Sequence, residues 1–238
     1  MSSRNTSGLG YVSPTRTTAD HDSNSCILNK AVTGPPESHR YFLARRTVLE
    51  MLRDRNCIVD ESEINRSVSE FRSLFGDKPD VDNLRICVPL SSNRSKKILV
   101  VFSGPEEINK AKAKHILVSI LSKESSQALH RIIIVLGGKM NHFARSEFEQ
   151  FEVKVEIFPI TELFVNITKH VTMPKHEILT TEEKDQLLMK LNLADNQLPY
   201  MMESDAIARY YGLEKKQLIK ITYNSEMTGS FVTYRIVK

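Results

Sequence analysis

Apolar side chains recur at spacings of three and four from Ser38 onward. Tyr41, Ala44, Val48 and Met51 or Leu52 fall on one face, the period of a helix laid against a core. On that helix Arg45, Arg53 and Arg55 project away from the stripe, toward solvent or a partner. Asp60 with Glu63 three residues on predicts a second helix, opened by a reciprocal cap that satisfies backbone N–H groups lacking partners inside the helix. Ile64, Val68, Phe71 and Phe75 supply its buried stripe, and Gly76 ends it. Beyond Pro79 the pattern changes. Lys97–Ser103 (KILVVFS) and Arg131–Gly137 (RIIIVLG) are continuous runs rich in β-branched residues, which suits strands covered on both faces. Between them PEEINKAKAKHILVSIL opens on Pro105 and two glutamates, residues favourable at a helix start. Val153–Phe158 alternates cleanly as a further strand. Strand and helix in alternation predict an α/β domain over residues 39–165.

Residues 166–238 are patterned differently. Thr180 with Glu183 forms another capping box, and Leu187, Leu188 and Leu191 give the following helix an apolar edge. Ser204 suits the N-cap of a short helix through Ala208 and Tyr211, with Gly212 at the left-handed position that ends it. Two strands, QLIKITY from Gln217 and FVTYRIV from Phe231, join through a turn containing Asn224 and Gly229. In the last strand Val232, Tyr234 and Ile236 face one way, Thr233 and Arg235 the other. This is a small α+β module ending in a hairpin, about 70 residues long and marginal alone, so that it completes its burial against a partner. Residues 1–38 are rich in Ser, Thr, Asn and Gly with Cys26, Ile27 and Leu28 as an isolated apolar cluster, the composition of a tail that does not fold. Asp20, Asp22 and Glu37 argue against a transit peptide, which would be poor in acids.

Composition narrows the class. With 238 residues and 40% hydrophobic content the chain can build one large core or two small ones. Cys26, Cys57 and Cys87 are widely spaced and form no CxxC, so neither a disulfide framework nor a zinc site is indicated, and a reducing compartment fits. The longest apolar runs are far too short to cross a bilayer, and the expectation is a soluble, unsecreted protein with no membrane contact. The net charge is +4, of which +3 falls between Arg40 and Arg55, where five arginines face Glu50 and Asp54. That footprint is modest for a protein that binds nucleic acid unaided.

Catalytic signals are weak. Gly137-Gly138-Lys139 lacks the spacing and hydroxyl of a phosphate loop and reads as a strand-ending turn. Asp80 with Glu152 and Lys154 fits a metal-dependent nuclease pattern, but also a turn followed by the solvated face of a strand. His170 and His176 flank Pro174, which opposes the helical presentation of two zinc ligands and favours a loop. Arg209, Tyr210 and Tyr211 with Lys215 and Lys216 could form a basic aromatic surface. The nearly balanced charge of the module favours instead a tyrosine packing the short helix onto the hairpin, with the lysines in solvent.

In order, HVTMPKHEILTTEEKDQLLMKL from His170, QLP at Gln197–Pro199, SDAIARYYGL from Ser204 and the terminal FVTYRIV resemble the assembly domain of the fifth subunit of eukaryotic nuclear RNA polymerases, a family with an archaeal counterpart. YFLARRTVLEMLRDR at Tyr41–Arg55 and Glu61–Ile64 are similar to the start of its N-terminal domain, so the resemblance covers most of the chain from Ser38. It implies an α/β jaw domain, a mixed layered sheet with helices, beside downstream duplex DNA. It also implies a small α+β assembly domain ending in a β-hairpin and docking on the largest polymerase subunit. The expected protein is a nuclear, non-catalytic subunit with no cofactor or metal, partnered by other polymerase subunits and not a homo-oligomer. The resemblance assigns docking to His170, Pro174, His176, Gln197, Leu198, Pro199, Asp205, Ala208, Arg209, Tyr210, Gly212, Thr233, Tyr234 and Arg235. It sets Lys139, Asn141, His142 and Arg145 near DNA, with Asn141-His142 where the family usually has Thr-Pro. Tyr200, Ala206, Lys216, Tyr223-Asn224 and Ser230 depart from the commonly shared subunit and suggest a different mate. The segments SHRYFLARR, PDVDNLRI, VKVEIF and ITELFVNITKHV look most like the plant-specific version used by RNA polymerase V in non-coding transcription for RNA-directed DNA methylation. The alternatives are the subunit shared by polymerases I, II and III, a metal-dependent nuclease, or a free-standing DNA-binding regulator.

Overall fold

Proline at the first helical position and Glu37 beside the positive end of the helix start α1 (Pro36–Asp54). The helix therefore takes in three residues that composition assigns to the tail. The structure, a computed structural model, describes residues 36–123, 128–225 and 229–238, so the rest of the expected tail and the tip of the hairpin lie outside the described residues. Tyr41, Ala44, Val48, Met51 and Leu52 are buried as their spacing requires. Two of the three arginines expected to leave the core do not. Arg45 lies over the Phe75 ring at 5.4 Å and pairs with Glu63 at 2.9 Å, and the Arg55 side chain is 4% exposed. Only Arg53 of the three meets solvent.

The single helix expected from Asp60 is two, α2 (Glu61–Ile64) and α3 (Val68–Phe75). Asp60 accepts from the Ser62 N–H without reciprocation, whereas Ser67 and Glu70 form the complete capping box. A serine followed three residues later by a glutamate satisfies two backbone donors at once, so the chain restarts there. Glu63 is then available to neutralise the buried Arg45.

The first sheet contains β1 (Ile86–Pro89), β2 (Lys97–Phe102), β3 (Leu129–Leu136) and β4 (Lys154–Pro159) in that order, with β1 antiparallel and the others parallel. Helices α4 (Lys110–Lys123) and α5 (His142–Glu149) make the parallel connections. Residues Ile98, Val100, Phe102, Ile133, Val135 and Phe158 pack on the α1 side. Their neighbours Leu99, Val101, Ile132, Ile134 and Leu136 pack with Ala113, Ile120, Ala144 and Phe148 of α4 and α5. Coverage on both faces is the reason these strands read as unbroken apolar runs. Helix α4 starts later than Pro105 suggests, because the Asn109 carboxamide accepts from the Lys112 N–H while Ile108 bridges to Met140. Strand β1, too short to show alternation and ending in proline, is an edge strand.

The second sheet has the order β5-β7-β8-β6: β5 (Lys175–Ile178), β7 (Leu218–Ser225), β8 (Gly229–Val237) and β6 (Tyr200–Met201). Helix α6 (Thr181–Leu191), capped by Thr180 and Glu183, covers one face through Leu187 and Leu188 against Leu218, Tyr234 and Ile236. Leu191, expected on that edge, is 45% exposed in the last turn, where Asn192 turns left-handed and ends the helix. Helix α7 (Ala206–Tyr211) covers the other face through Ile207 and Ala208 against Ile219, Ile221 and Val237. Its N-cap is Asp205, not Ser204: the carboxylate accepts from the Ile207 N–H at 2.9 Å.

Gly137 and Gly138 leave β3 against the loop that follows β2. A Cβ on Gly137 would sit 2.6 Å from the Ser103 carbonyl oxygen, and one on Gly138 would press closer still on that of Pro105. These glycines serve a backbone crossing, as a strand-ending turn requires. Gly138→Ala is expected to lower stability by about 1–3 kcal/mol through backbone displacement, whereas Gly104→Ala should cost under about 0.5 kcal/mol. The control position is open, since a Cβ on Gly104 meets nothing within 4 Å. Urea unfolding of both purified variants would check the difference.

Candidate assembly surface and the seam beneath it

A charged seam joins the two modules. Arg55, at the end of α1, donates from Nε to the Tyr210 carbonyl at 2.8 Å and from Nη2 to the Arg209 carbonyl at 2.6 Å. Those are carbonyls of the last turn of α7, and that of Arg209 also accepts from the Gly212 N–H that ends the helix. The same Nη2 reaches Glu156 of β4 at 2.7 Å. Arg131 of β3 donates to the other oxygen of Glu156 and, through Nη2, to Glu214 at 2.6 Å. Burial pushes the Glu156 carboxyl up, but the charges of Arg55 and Arg131 and the hydrogen bonds they donate outweigh it and hold the group below the usual carboxylate range. Arg209 lies over the Phe158 ring at 4.6 Å, donates to the Ile157 carbonyl at 2.8 Å and pairs with Glu162 at 2.9 Å.

Tyr210 completes the seam. Its hydroxyl donates to Asp54 at 2.8 Å and accepts from the Asn166 amide at 3.0 Å. Burial, with Asp54 adding to it, raises the phenol above its ordinary value. Asn166 also donates to Glu50 at 2.8 Å, and Lys169 pairs with Glu50 at 2.6 Å. Of the two tyrosines that could pack the short helix onto the hairpin, Tyr210 packs into the core around α1. It is Tyr211 that contributes to the core of the second module, beside the His176 ring at 6.4 Å. Gly212 ends α7 with φ 63°, and a Cβ there would meet Arg131 Nη1 and Arg55 Cζ at 2.9 Å.

Of the residues assigned to docking, Leu198, Ala208 and Tyr210 are buried inside this chain and can reach a partner only by shaping the surface. Arg209 and Gly212 belong to the seam, and Asp205 caps α7. The Gln197 side chain closes a turn by accepting from the Ala194 N–H. His170 is exposed with Nδ1 against the Thr172 hydroxyl, while Pro174 and His176 are partly buried at the entry to β5. Burial lowers the His176 imidazole below its ordinary value.

Pro199, Thr233, Tyr234 and Arg235 lie along one structural feature. Strand β6 pairs only with Ile236 and Val237, so among the described residues the edge of β8 from Phe231 to Arg235 has no neighbour beyond it. The Ile236 N–H points outward to the Pro199 carbonyl, and the Val237 N–H points inward to Gln217 of the β7 side. Alternation then turns the backbone groups of Val232 and Tyr234 toward the open edge. Around it Tyr200, Phe231, Val232 and Tyr223 are exposed, with the Tyr223 and Phe231 rings 6.3 Å apart.

In the first module Lys139, His142 and Arg145 are exposed, as is Phe143. Asn141 is committed locally as the N-cap of α5, accepting from the Phe143 N–H at 2.7 Å and the Ala144 N–H at 3.2 Å. The nuclease constellation is not assembled. Asp80 closes a turn by accepting from the Asp82 N–H ahead of β1, while Glu152 precedes β4 at the opposite edge of the sheet. Three strand spacings, about 14 Å, separate those edges. Lys154 pairs with Glu203. Among the described residues no group of three or more His, Cys, Asp or Glu side chains is placed to hold a metal.

Sequence reasoning missed Arg131, Glu156 and Glu214 and misread Arg55. A signal existed for Arg131, whose same-face neighbours Ile133 and Val135 are apolar, because a charge on a buried face requires a partner; Glu156 shares its face with Lys154 and gave none.

Comparison with known proteins gives a consistent result. Residues 35–120 match the family model of the RNA polymerase Rpb5 N-terminal domain, and residues 165–237 that of the Rpb5 C-terminal domain. The chain is 53% identical over 218 residues to DNA-directed RNA polymerase V subunit 5C of Arabidopsis thaliana, covering 91% of each. It is 45% identical to subunit 5B of polymerases IV and V of the same plant, over 84% of this chain and 91% of the relative. Against RPABC1 of polymerases I, II and III from Caenorhabditis briggsae it is 34% identical, over 84% and 97%.

Glu156→Gln leaves two buried guanidinium groups short of a counter-charge and is expected to cost about 3–5 kcal/mol at neutral pH. Because the folded-state pKa of Glu156 is lowered, its contribution is present above the unfolded pKa and is lost as pH falls through the folded value. The gap between wild type and variant should therefore narrow in acid, which urea unfolding at neutral and acidic pH would measure.

Proposed function

The chain belongs to the Rpb5 family of RNA polymerase subunits, and from that premise we propose that it is a non-catalytic, nuclear subunit of plant RNA polymerase V, acting in non-coding transcription for RNA-directed DNA methylation. Its second module docks on the largest subunit, and its first module lies beside downstream duplex DNA.

The observation that carries the docking reading is the open edge of β8. An extended segment of the partner can add a strand there, taking main-chain hydrogen bonds from Val232 and Tyr234 while Thr233, Arg235 and Pro199 frame the contact. The seam supports the same reading. By tying α7 to α1 and to the first sheet, it makes the two modules one body, so that docking of the second sets the position of the first.

Preference for polymerase V follows from the character of the surface around that edge. Tyr200, with Lys238 5.0 Å from its ring centroid, and Tyr223, its ring 6.3 Å from that of Phe231, present aromatic faces where the commonly shared subunit resembling this chain has arginines. Lys216 holds φ 71°, a conformation suited to the glycine usual at that place. Each tenfold preference between two largest subunits requires only about 1.4 kcal/mol of difference. On the DNA side Lys139, His142 and Arg145 contribute positioning contacts too few for autonomous binding.

Proline at 232 removes an N–H that points away from β7 and places a ring on the open edge, so the β7–β8 ladder survives. Val232→Pro is expected to reduce capture of the polymerase V largest subunit at least about tenfold while the melting temperature stays nearly unchanged. Undiminished capture would move docking off this edge. Enrichment of the polymerase II largest subunit with the tagged wild-type chain from native cells would favour the shared-subunit reading.

A further inference from the structure

Helix α1, the residues after α2 and the segment 164–171 enclose a solvent-open groove of about 930 Å³ that shares no residue with the open β8 edge. Leu43, Ile64 and Phe164 form its floor. On its wall Val165 is 70% exposed and Val171 is 99% exposed. The rim is cationic: Arg46, Arg53, Arg66 and Lys169, with His39 and His170 beside them. Glu50 is the sole acidic residue in the lining, and its carboxylate is buried and already held by Lys169 and Asn166.

The cations are unequally satisfied. Arg53 is shared with Asp54 and Glu61. Arg46 lies over the Phe42 ring at 5.6 Å and, like Arg66, forms no ion pair among the described residues. Asp60 and Glu70, whose carboxylates feel the Arg66 charge, are both committed to capping backbone N–H groups. Exposed valines between unpaired guanidinium groups leave the groove short of both apolar cover and negative charge.

We propose that this groove docks an acidic segment of a second protein, its carboxylates on Arg46 and Arg66 and one or two large apolar side chains over Phe164 and Val165. The charge excludes a basic partner, and the apolar floor and wall give a phosphodiester backbone nothing to contact. The wall is set in advance, because Asn166 is pinned to Glu50 and Tyr210 by the seam, so little ordering is left to binding. The site is distinct from the β8 edge and from the Lys139–Arg145 loop.

The probe is a short fluorescein-labelled peptide of alternating Glu and Asp carrying one Phe and one Leu, titrated against the full chain at physiological salt and followed by anisotropy. Saturable binding is expected, weakened at least about tenfold in Arg46→Glu/Arg66→Glu. It should be weakened in the same direction in Arg46→Gln/Arg66→Gln, which creates no repulsion, and in Val165→Asp. A peptide with lysine in place of the acids should not bind, and Val232→Pro should bind the acidic probe like the wild type, separating this site from the docking edge. Melting temperatures close to wild type establish that the variants are folded. Wild-type affinity in both double variants, binding of the lysine peptide, or displacement of the probe by duplex DNA would each overturn the proposal.

Discussion

The joint between the two sheets of this chain centres on one carboxylate held between two guanidinium groups. Glu156 sits on β4, Arg131 on the neighbouring strand, and Arg55 at the end of the helix that fills the core above them. Isolated charges in that position would be intolerable, and none of the three is isolated. Arg55 has hydrogen-bonding capacity left over after pairing with Glu156 and directs it to the end of α7, which belongs to the other module. The electrostatic requirement of the first core is thereby met partly by the second. Each module supplies what the other lacks, and the small α+β part, short of burial by its size, gains Tyr210 as a shared core residue.

Local chemistry made much of the fold legible. The strands of the parallel core followed from their unbroken apolar runs, and α6 from Thr180 and Glu183, because covered faces and reciprocal caps leave direct traces in residue type. Boundaries failed where two local signals competed. Asp60 and Ser67 both offered caps, and the one that could be reciprocated restarted the helix. Pro105 and Asn109 both offered helix starts, and Ile108 was already committed to a bridge. Strands β1, β5 and β6 were missed because two to four residues show no period.

The site was less legible, for a physical reason. Composition cannot distinguish an arginine in solvent from one that must reach across a core, since both interrupt an apolar stripe in the same way. The resemblance directed attention to the end of α7 and to β8, but it gave residue types without depth. Ala208, Tyr210 and Leu198 sit inside the fold, whereas Thr233, Tyr234 and Arg235 border an unpaired edge. Separating these groups required the sheet order, which arises from contacts between residues distant in the chain.

Arg55 reads α7 through carbonyl oxygens and not through side chains. Any sequence that forms a helical turn ending at a left-handed residue offers those same oxygens. The outward positions of α7 and its flanks, Ala206 among them, can therefore diverge between gene copies without loosening the joint. The joint is thus insulated from the identity of the side chains that surround it.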